Sequence, residues 1–322
     1  MKNLFKTLIL ALALMLTLTG CSSSTEETTT EPTEEPVVEE TTEPVVEEAN
    51  VMADAVDAYY AELEANYQIS TEDLFAKIDA GEDMTILSIR SADDYATGHV
   101  VGAYNAAWPN DVASVVEYLP MSKPVYVYCY SGQTAGQTVA ALRLLGFDAI
   151  SVKYGFNYGI SKTEGYEAYV TTEATEFDQP TGIEFDSELL TAVNDYFDGL
   201  AAVSETEYKN YKISEDAAKE KLDAEDSSVM FLSIRQAADY AEGHIEGAIN
   251  IPYGTTMSSA VFAENLPMDK KIIVYCYSGQ TAGQTVATLR LLGYDAVSLN
   301  GGLGTSGNDP MGWVNKGYEL VK

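Results

Sequence analysis

A chain of 322 residues, 46% of them hydrophobic, is long enough for two domains that each bury a core. Its formal net charge is −32 at pH 7, and the absence of a basic patch argues against nucleic acid as a partner. It has three Cys and two His, with no CxxC and no Cys/His cluster, so no metal and no cofactor is expected.

The chain opens with Lys2 and Lys6, an apolar run from Leu8 to Leu18, and then Leu18-Thr19-Gly20-Cys21. That order reads as a secretory signal, and the apolar run is too short for a comfortable membrane span. Its ending resembles the lipobox of bacterial lipoproteins. The resemblance implies a lipoprotein signal peptide over 1–21, with Cys21 lipid-modified as the mature N-terminus. The protein would then be anchored to the cell membrane by lipid, facing the extracytoplasmic side. A plain signal peptide is the simpler alternative. Residues 22–50 hold ten Glu and three Pro but no Lys or Arg. Such a segment buries too little apolar surface to order itself, and its charges extend it. It is expected to be a disordered acidic linker between anchor and folded part; an acidic interaction tail is the other reading. Of the 50 acids, ten lie in this tail, leaving 40; of the 18 bases, Lys2 and Lys6 lie in the leader, leaving 16, so the rest carries −24. Charge of that size favours solubility and says nothing about fold.

From residue 51 the chain runs through one pattern twice. A helix-type segment over 52–65 precedes Asn66-Tyr67-Gln68-Ile69-Ser70, a short strand leading into a capped helix. Ile86-Leu87-Ser88-Ile89-Arg90 reads as a buried strand. Asp94-Tyr95, Gly98-His99, Gly102-Ala103 and Asn105 follow, then the apolar run Pro124 to Tyr128. After it comes a loop, and a helix with Val139, Leu142 and Leu145 at helical spacing that stops at Gly146. Thr171 to Gly182 is polar, holds Pro180, and reads as a linker. The pattern then recurs: a helix-type segment over 187–202, Asn210 to Ser214, Phe231 to Arg235, Asp239-Tyr240, Gly243-His244, Gly247-Ala248, Asn250, Lys271 to Tyr275, and a helix ending at Gly293. Strands alternating with helices predict a parallel α/β sheet in each half, and a two-fold repeat of this size is a duplicated domain. The expected boundaries are 51–172 for the first domain, 173–186 for the linker and 187–322 for the second domain.

The chemistry concentrates in the loop Tyr128-Cys129-Tyr130-Ser131-Gly132-Gln133-Thr134-Ala135-Gly136 and its copy Tyr275-Cys276-Tyr277-Ser278-Gly279-Gln280-Thr281-Ala282-Gly283. Residues 128–146 match 275–293 everywhere except Ala141 against Thr288. Each Cys ends a strand in a loop that turns into a helix, where backbone N–H groups converge and favour negative charge. That environment lowers a thiol's pKa below about 8.5, and the thiolate is the nucleophile. A small buried Cys at a strand end is the bland reading. The polar Ser-Gly turn and its exact recurrence favour a functional loop.

These motifs together resemble the rhodanese sulfurtransferases, in a tandem-domain arrangement. The family pattern is a strand ending in Asp-x-Arg, an acid–aromatic pair, Gly-His-Ile, Gly-Ala, and a strand ending in the catalytic Cys loop. Arg90 and Arg235, Asp94-Tyr95 and Asp239-Tyr240, Gly98-His99-Val100 and Gly243-His244-Ile245, and Cys129 and Cys276 match it. The departures are Ser88 and Ser233 in place of the Asp, and Thr134 and Thr281 where many family loops end in Arg. Loops ending in Thr are similar to the thiosulfate and mercaptopyruvate branch. The resemblance implies two tandem rhodanese-like domains, each a parallel sheet flanked by helices, and catalytic Cys129 and Cys276. It implies a small anionic sulfur donor such as thiosulfate, a Cys persulfide and a thiol acceptor. Substrate binding would fall to Tyr130, Ser131, Gly132, Gln133, Thr134 and Ala135, and to Tyr277, Ser278, Gly279, Gln280, Thr281 and Ala282, chiefly through backbone N–H groups. One alternative is a non-catalytic persulfide-carrying, sensing or partner-binding module. A phosphatase or arsenate reductase would need Arg six residues after the Cys, where Ala135 and Ala282 stand.

Four further expectations follow. His99 and His244 fix the Gly-His turn by hydrogen bonding, and Arg90 and Arg235 pair with Asp94 and Asp239. Trp108 and Trp313 pack in the core or at a rim. Gly301-Gly302 stands where the first half has Tyr154-Gly155, so the Tyr154 ring is expected to narrow the first pocket and make the second half the better catalyst.

Overall fold

The computed structural model describes residues 50–322. Cys21, the signal segment and the acidic stretch through residue 49 lie outside the described residues. Among the described residues no helix is long and apolar enough to cross a membrane.

In chain order the elements of the first half are α1 (Val51–Ala61), β1 (Gln68–Ile69), α2 (Thr71–Asp79), β2 (Thr85–Ser88), α3 (Ala92–Thr97), β3 (His99–Val100), β4 (Ala103–Asn105), β5 (Val125–Tyr128), α4 (Gln133–Leu144), β6 (Ala149–Val152) and β7 (Val170–Thr171). The second half has α5 (Ser187–Ala202), β8 (Lys212–Ile213), α6 (Glu215–Asp223), β9 (Val229–Ser233), α7 (Ala237–Glu242), β10 (Ile249–Asn250), α8 (Ser259–Asn265), β11 (Lys271–Tyr275), α9 (Gln280–Leu291) and β12 (Ala296–Leu299). One sheet runs β1-β6-β5-β2-β4 and the other β8-β12-β11-β9-β10, all parallel. The expected fold, two tandem parallel sheets flanked by helices, is the one observed. The two sheets are in the same register: Ser88 lies opposite Tyr128, and Ser233 opposite Tyr275. Strands β2 and β5 are buried along their whole length, which is why they read as continuous apolar runs instead of alternating ones. Ser70 and Ser214 each accept a backbone N–H at the start of the following helix, as the capped-helix reading required.

Each half has a core of its own on the outer face of its sheet, built on Leu74, Phe75 and Tyr128 in the first and on Phe231, Tyr275 and Trp313 in the second. The inner faces share one core, in which Val139, Leu142, Val193 and Phe197 join Ile272, Val286 and Leu289. At its centre α4 packs against α9. Both helices are buried almost all round, consistent with a sheet on one side and a helix on the other. Gly136 and Gly283 let their backbones meet: a Cβ on Gly136 would lie 2.5 Å from the Gln280 carbonyl oxygen, and one on Gly283 would collide with that of Gln133.

Each leading helix packs against the long buried helix of its own half and also reaches the other half. Helix α1 precedes the first half and also clasps the second: Tyr60 Oη and Thr288 Oγ1 are 2.8 Å apart, and the Asp57 carboxylate accepts from Ser259 N at 2.6 Å. Helix α5 precedes the second half and also clasps the first: Tyr196 Oη donates to Gln137 Oε1 at 2.6 Å, and Phe197 packs edge-on to Trp108. Burial pushes the Tyr60 hydroxyl up to about 12, so it stays a neutral hydrogen-bonding group. The linker lies along the first half, where Phe177 stacks on Tyr104 and Thr181 N donates to Glu117 O at 2.8 Å.

Candidate active site

Cys129 follows β5 and Cys276 follows β11, each the middle strand of its sheet. Both are free thiols, 2% exposed. The chain then turns at Gly132 and Gly279, whose φ values of 89° and 88° favour glycine, and enters α4 and α9. The turn brings the Gly132 N–H to within 3.0 Å of Cys129 Sγ and the Gly279 N–H to within 3.1 Å of Cys276 Sγ. Each sulfur therefore sits at a helix N-terminus and accepts a backbone hydrogen bond, an arrangement that favours negative charge on it.

The strand end beside each loop is held by the Arg and His motifs. His99 Nδ1 lies 2.8 Å from Tyr95 O and its Nε2 3.0 Å from Glu173 O, with the ring stacked on Tyr95. His244 Nδ1 lies 3.1 Å from Tyr240 O, as expected of a residue that fixes the turn. The expected Arg–Asp ion pairs are not made. Arg90 donates to the backbone carbonyls of Gly98 and Asp94 at 2.8 and 2.9 Å, and Arg235 to those of Gly243 and Asp239 at 2.7 and 2.9 Å. The planar fork closes the turn around two carbonyls, while the carboxylates turn outward. Asp94 accepts from the Tyr130 and Ser91 hydroxyls, and Asp239 from the Tyr277 hydroxyl. The hydrogen bond from Tyr130, then that from Ser91, holds the Asp94 carboxyl below its ordinary range. Burial, then the carboxylate of Asp239, pushes the Tyr277 hydroxyl up. Both tyrosines are thereby pinned at the mouths of their pockets. Asn105 and Asn250 each donate to two backbone carbonyls, of Ser88 and Arg90 and of Ser233 and Arg235, bracing the strand ends.

Of the candidate substrate-binding side chains, Tyr130, Ser131 and Thr134 line the Cys129 cavity, and Tyr277, Ser278 and Thr281 line that of Cys276. The side chains of Gln133, Gln280, Ala135 and Ala282 do not. Ala135 and Ala282 are buried in the shared core. Gln133 crosses into the other half, donating to Ser298 Oγ at 2.7 Å and Leu299 O at 3.0 Å, and Gln280 accepts from Tyr154 N at 3.1 Å. None of these four side chains reaches its own loop's cavity.

The expected obstruction by Tyr154 is absent. Tyr154 adopts a left-handed conformation with φ 59°, and its ring lies against Gly307 of the second half, away from the Cys129 cavity. Gly155 and Gly302 are the equivalent close contacts beneath the two loops: a Cβ on either would lie within 2.8 Å of the loop backbone. The premise for ranking the second half above the first is therefore removed.

Sequence reasoning missed that each cavity is completed by the opposite half. Cys129 faces a cavity of about 500 Å³ whose lining includes Leu200, Lys209, Asn210 and Lys212 of the second half. Cys276 faces one of about 120 Å³ whose lining includes Asn66 and Gln68 of the first. Trp108, expected in the core or at a rim, stands on the wall of the larger cavity and donates through Nε1 to Asn210 Oδ1 at 3.1 Å. Trp313 is fully buried in the outer core. The repeat itself held the signal, since Asn66 and Gln68 match Asn210 and Lys212. A larger cavity of about 690 Å³, lined by Lys219, Glu246 and Trp313 among others, contains neither cysteine.

Two parallel α/β sheets, each presenting a cysteine at the C-terminal end of its middle strand and the start of a buried helix, define a duplicated cysteine-loop protein. The sequence matches the rhodanese-like domain over residues 70–161 and again over 214–304, more than half of its length. The chain belongs to the rhodanese-like family, with two such domains in tandem. It is 34% identical over 79 residues to the thiosulfate sulfurtransferase GlpE of Shewanella oneidensis, covering 24% of this chain and 75% of that protein. It is 29% identical over 109 residues to a sulfurtransferase of Allochromatium vinosum, covering 34% and 91%. A Bacillus subtilis protein named as a candidate sulfur carrier, YrkF, is 30% identical over 86 residues, 27% of this chain and 44% of that relative, so the match spans less than half of its length. Among solved structures, the thiosulfate sulfurtransferase of Pseudomonas aeruginosa aligns with 77% of this chain and 46% of its own at 18% identity and a TM-score of 0.29.

Proposed function

We propose that this protein is a sulfurtransferase that moves sulfane sulfur from a small anionic donor such as thiosulfate to a thiol acceptor through a cysteine persulfide. The observation that carries the reading is the hydrogen bond from Gly132 N–H to Cys129 Sγ, repeated from Gly279 N–H to Cys276 Sγ. A donor aimed at a sulfur, at a helix start, stabilises both a thiolate and the terminal sulfur of a persulfide. In the first step the thiolate attacks the outer sulfur of thiosulfate. A Cys–S bond forms, the donor's S–S bond breaks, and its electron pair leaves with sulfite. In the second, an acceptor thiolate attacks the outer sulfur of the persulfide and the cysteine leaves as thiolate. No external oxidant is consumed. The hydroxyls of Ser131 and Thr134, and of Ser278 and Thr281, face these cavities and are available to the transferred sulfur or the leaving group.

The test is mass spectrometry of the loop peptides after thiosulfate treatment, alongside turnover with thiosulfate and cyanide. The mass of one added sulfur on a loop peptide, with turnover abolished in the Cys129→Ser, Cys276→Ser double variant, is expected. Sulfur uptake without delivery to cyanide or a thiol would favour the persulfide-carrier reading. No uptake at either cysteine would overturn both. From Leu18-Thr19-Gly20-Cys21 we further propose a lipid anchor on Cys21 that holds the enzyme on the extracytoplasmic face of the membrane.

A further inference from the structure

The two cysteine loops are identical from Tyr128 to Ala140 and from Tyr275 to Ala287, so any difference in their chemistry must come from what surrounds them. The segments 65–68 and 209–212, each lining the cavity of the opposite half's cysteine, supply that difference. At matching places of the repeat, the segment facing Cys129 carries Lys209, Asn210 and Lys212, whereas the one facing Cys276 carries Ala65, Asn66 and Gln68. The Cys129 cavity thus has two cations in its wall, whereas the wall of the Cys276 cavity carries neutral Gln68 at the place of Lys212. Lys209 is exposed and screened by solvent. Lys212 is half-buried, and among the described residues its ammonium has no ion-pair or hydrogen-bond partner. The nearby acid, Glu215, is already engaged: its carboxylate accepts from Gly312 N at 2.6 Å and from Asn300 Nδ2 at 3.3 Å. Burial pushes the Lys212 amine down, and the attraction of Cys129 and then of Glu215 opposes that shift.

A half-buried cation without a partner is costly unless something it faces repays it. In a folded part carrying −24 it is also the feature that lets an anion approach the sulfur. Size points the same way: about 500 Å³ before Cys129 against about 120 Å³ before Cys276. In the smaller cavity Gln236 replaces Ser91, and its Nε2 donates to Tyr253 O at 3.2 Å across the wall.

We infer that the two sites are unequal, that Cys129 is the cysteine that takes sulfur from the small anionic donor, and that Lys212, lent by the second half, is the cation that recruits it. The inference rests on the sulfurtransferase reading but is testable without it. The unmodified folded pair is treated separately with iodoacetate, an anionic alkylating reagent, and iodoacetamide, a neutral one of similar size, and the rate at each loop peptide is followed by mass spectrometry. The iodoacetate-to-iodoacetamide rate ratio should be about tenfold higher at Cys129 than at Cys276, the effect of roughly 1.4 kcal/mol of charge attraction. Lys212→Gln should erase that excess, Lys212→Arg should keep most of it, and Gln68→Lys should raise the ratio at Cys276. A merely structural Lys212 would alter both reagents alike. Equal ratios at the two cysteines, or a ratio at Cys129 unmoved by Lys212→Gln, would overturn the inference even in a protein that transfers sulfur. If the ratios behave as stated but thiosulfate leaves no sulfur on either peptide, the charge asymmetry stands and the sulfurtransferase reading is what fails. In turnover, Lys212→Gln in the Cys276→Ser background should raise KM for thiosulfate about tenfold with a smaller change in kcat.

Discussion

Gly136→Ala isolates the contact on which both sites depend. On helix propensity alone the substitution should stabilise the protein by about 1 kcal/mol, since alanine is the better helix former. The structure predicts the opposite sign. The added Cβ would lie 2.5 Å from the backbone oxygen of Gln280 and 3.4 Å from its carbonyl carbon. The obstacle is backbone, so no side-chain rotation relieves it, and α4 must move away from α9. Overpacking of this kind costs about 1–3 kcal/mol. The separation also loosens the hydrogen bonds from Gln133 to Ser298 and Leu299 and from Tyr154 to Gln280, each contributing about 1 kcal/mol. Set against the gain in propensity, the net loss is about 2 kcal/mol, a fall in Tm of roughly 3–4 °C for a protein of this size. Scanning calorimetry measures it. Gly283→Ala should behave alike, because its Cβ meets the carbonyl of Gln133. Because the same movement shifts each loop against the arm that completes its cavity, sulfur transfer should fall at both cysteines in either variant. A Tm equal to or above that of the parent would refute the close contact and the geometry built on it.

Tyr130→Phe removes the hydroxyl that, with Ser91, keeps the Asp94 carboxyl low, so its pKa should rise toward the ordinary 3.8. The sign follows from the depressed native value: the Tyr130–Asp94 bond contributes stability above the ordinary carboxylate range and loses it as pH falls through the native pKa. Carboxyl carbon NMR titration reads it directly, and an unmoved Asp94 would show that the hydroxyl is not the cause. Cys21→Ala should release the protein from the membrane fraction or stall its processing; a variant that fractionates and matures like the parent would remove the lipid-anchor proposal.

The positions of the Gly-His turns, the strand ends and both Cys loops were legible in the sequence because each is a local device. A glycine at positive φ, a serine cap or an apolar run depends on neighbours within a few residues, and the repeat showed each of them twice. Ser70 and Ser214 cap helices, His99 and His244 brace turns, and Gly132 and Gly279 turn the loops, all at their expected places. The Arg motifs were located correctly but given the wrong partners, because sequence proximity to Asp94 and Asp239 does not say whether the carboxylate or the carbonyl faces the guanidinium. The ring of Tyr154 was likewise assigned to the nearest pocket, when the neighbouring half offered it a surface at Gly307.

What the sequence by itself determined is two α/β domains, each with a cysteine at a strand-to-helix turn. Only the tertiary structure decided that α1 and α5 bridge the two halves, that α4 and α9 meet backbone to backbone, and that each cavity borrows a wall from the opposite half. The physical reason is that an apolar helix face records that it must be buried but not against what. Tyr59, Tyr60, Tyr196 and Phe197 would satisfy that demand in either half, and the choice between them is made by the fit of the whole shared core. With that choice Lys212 comes to face Cys129 and Gln68 to face Cys276, so two loops of one sequence acquire different electrostatic surroundings.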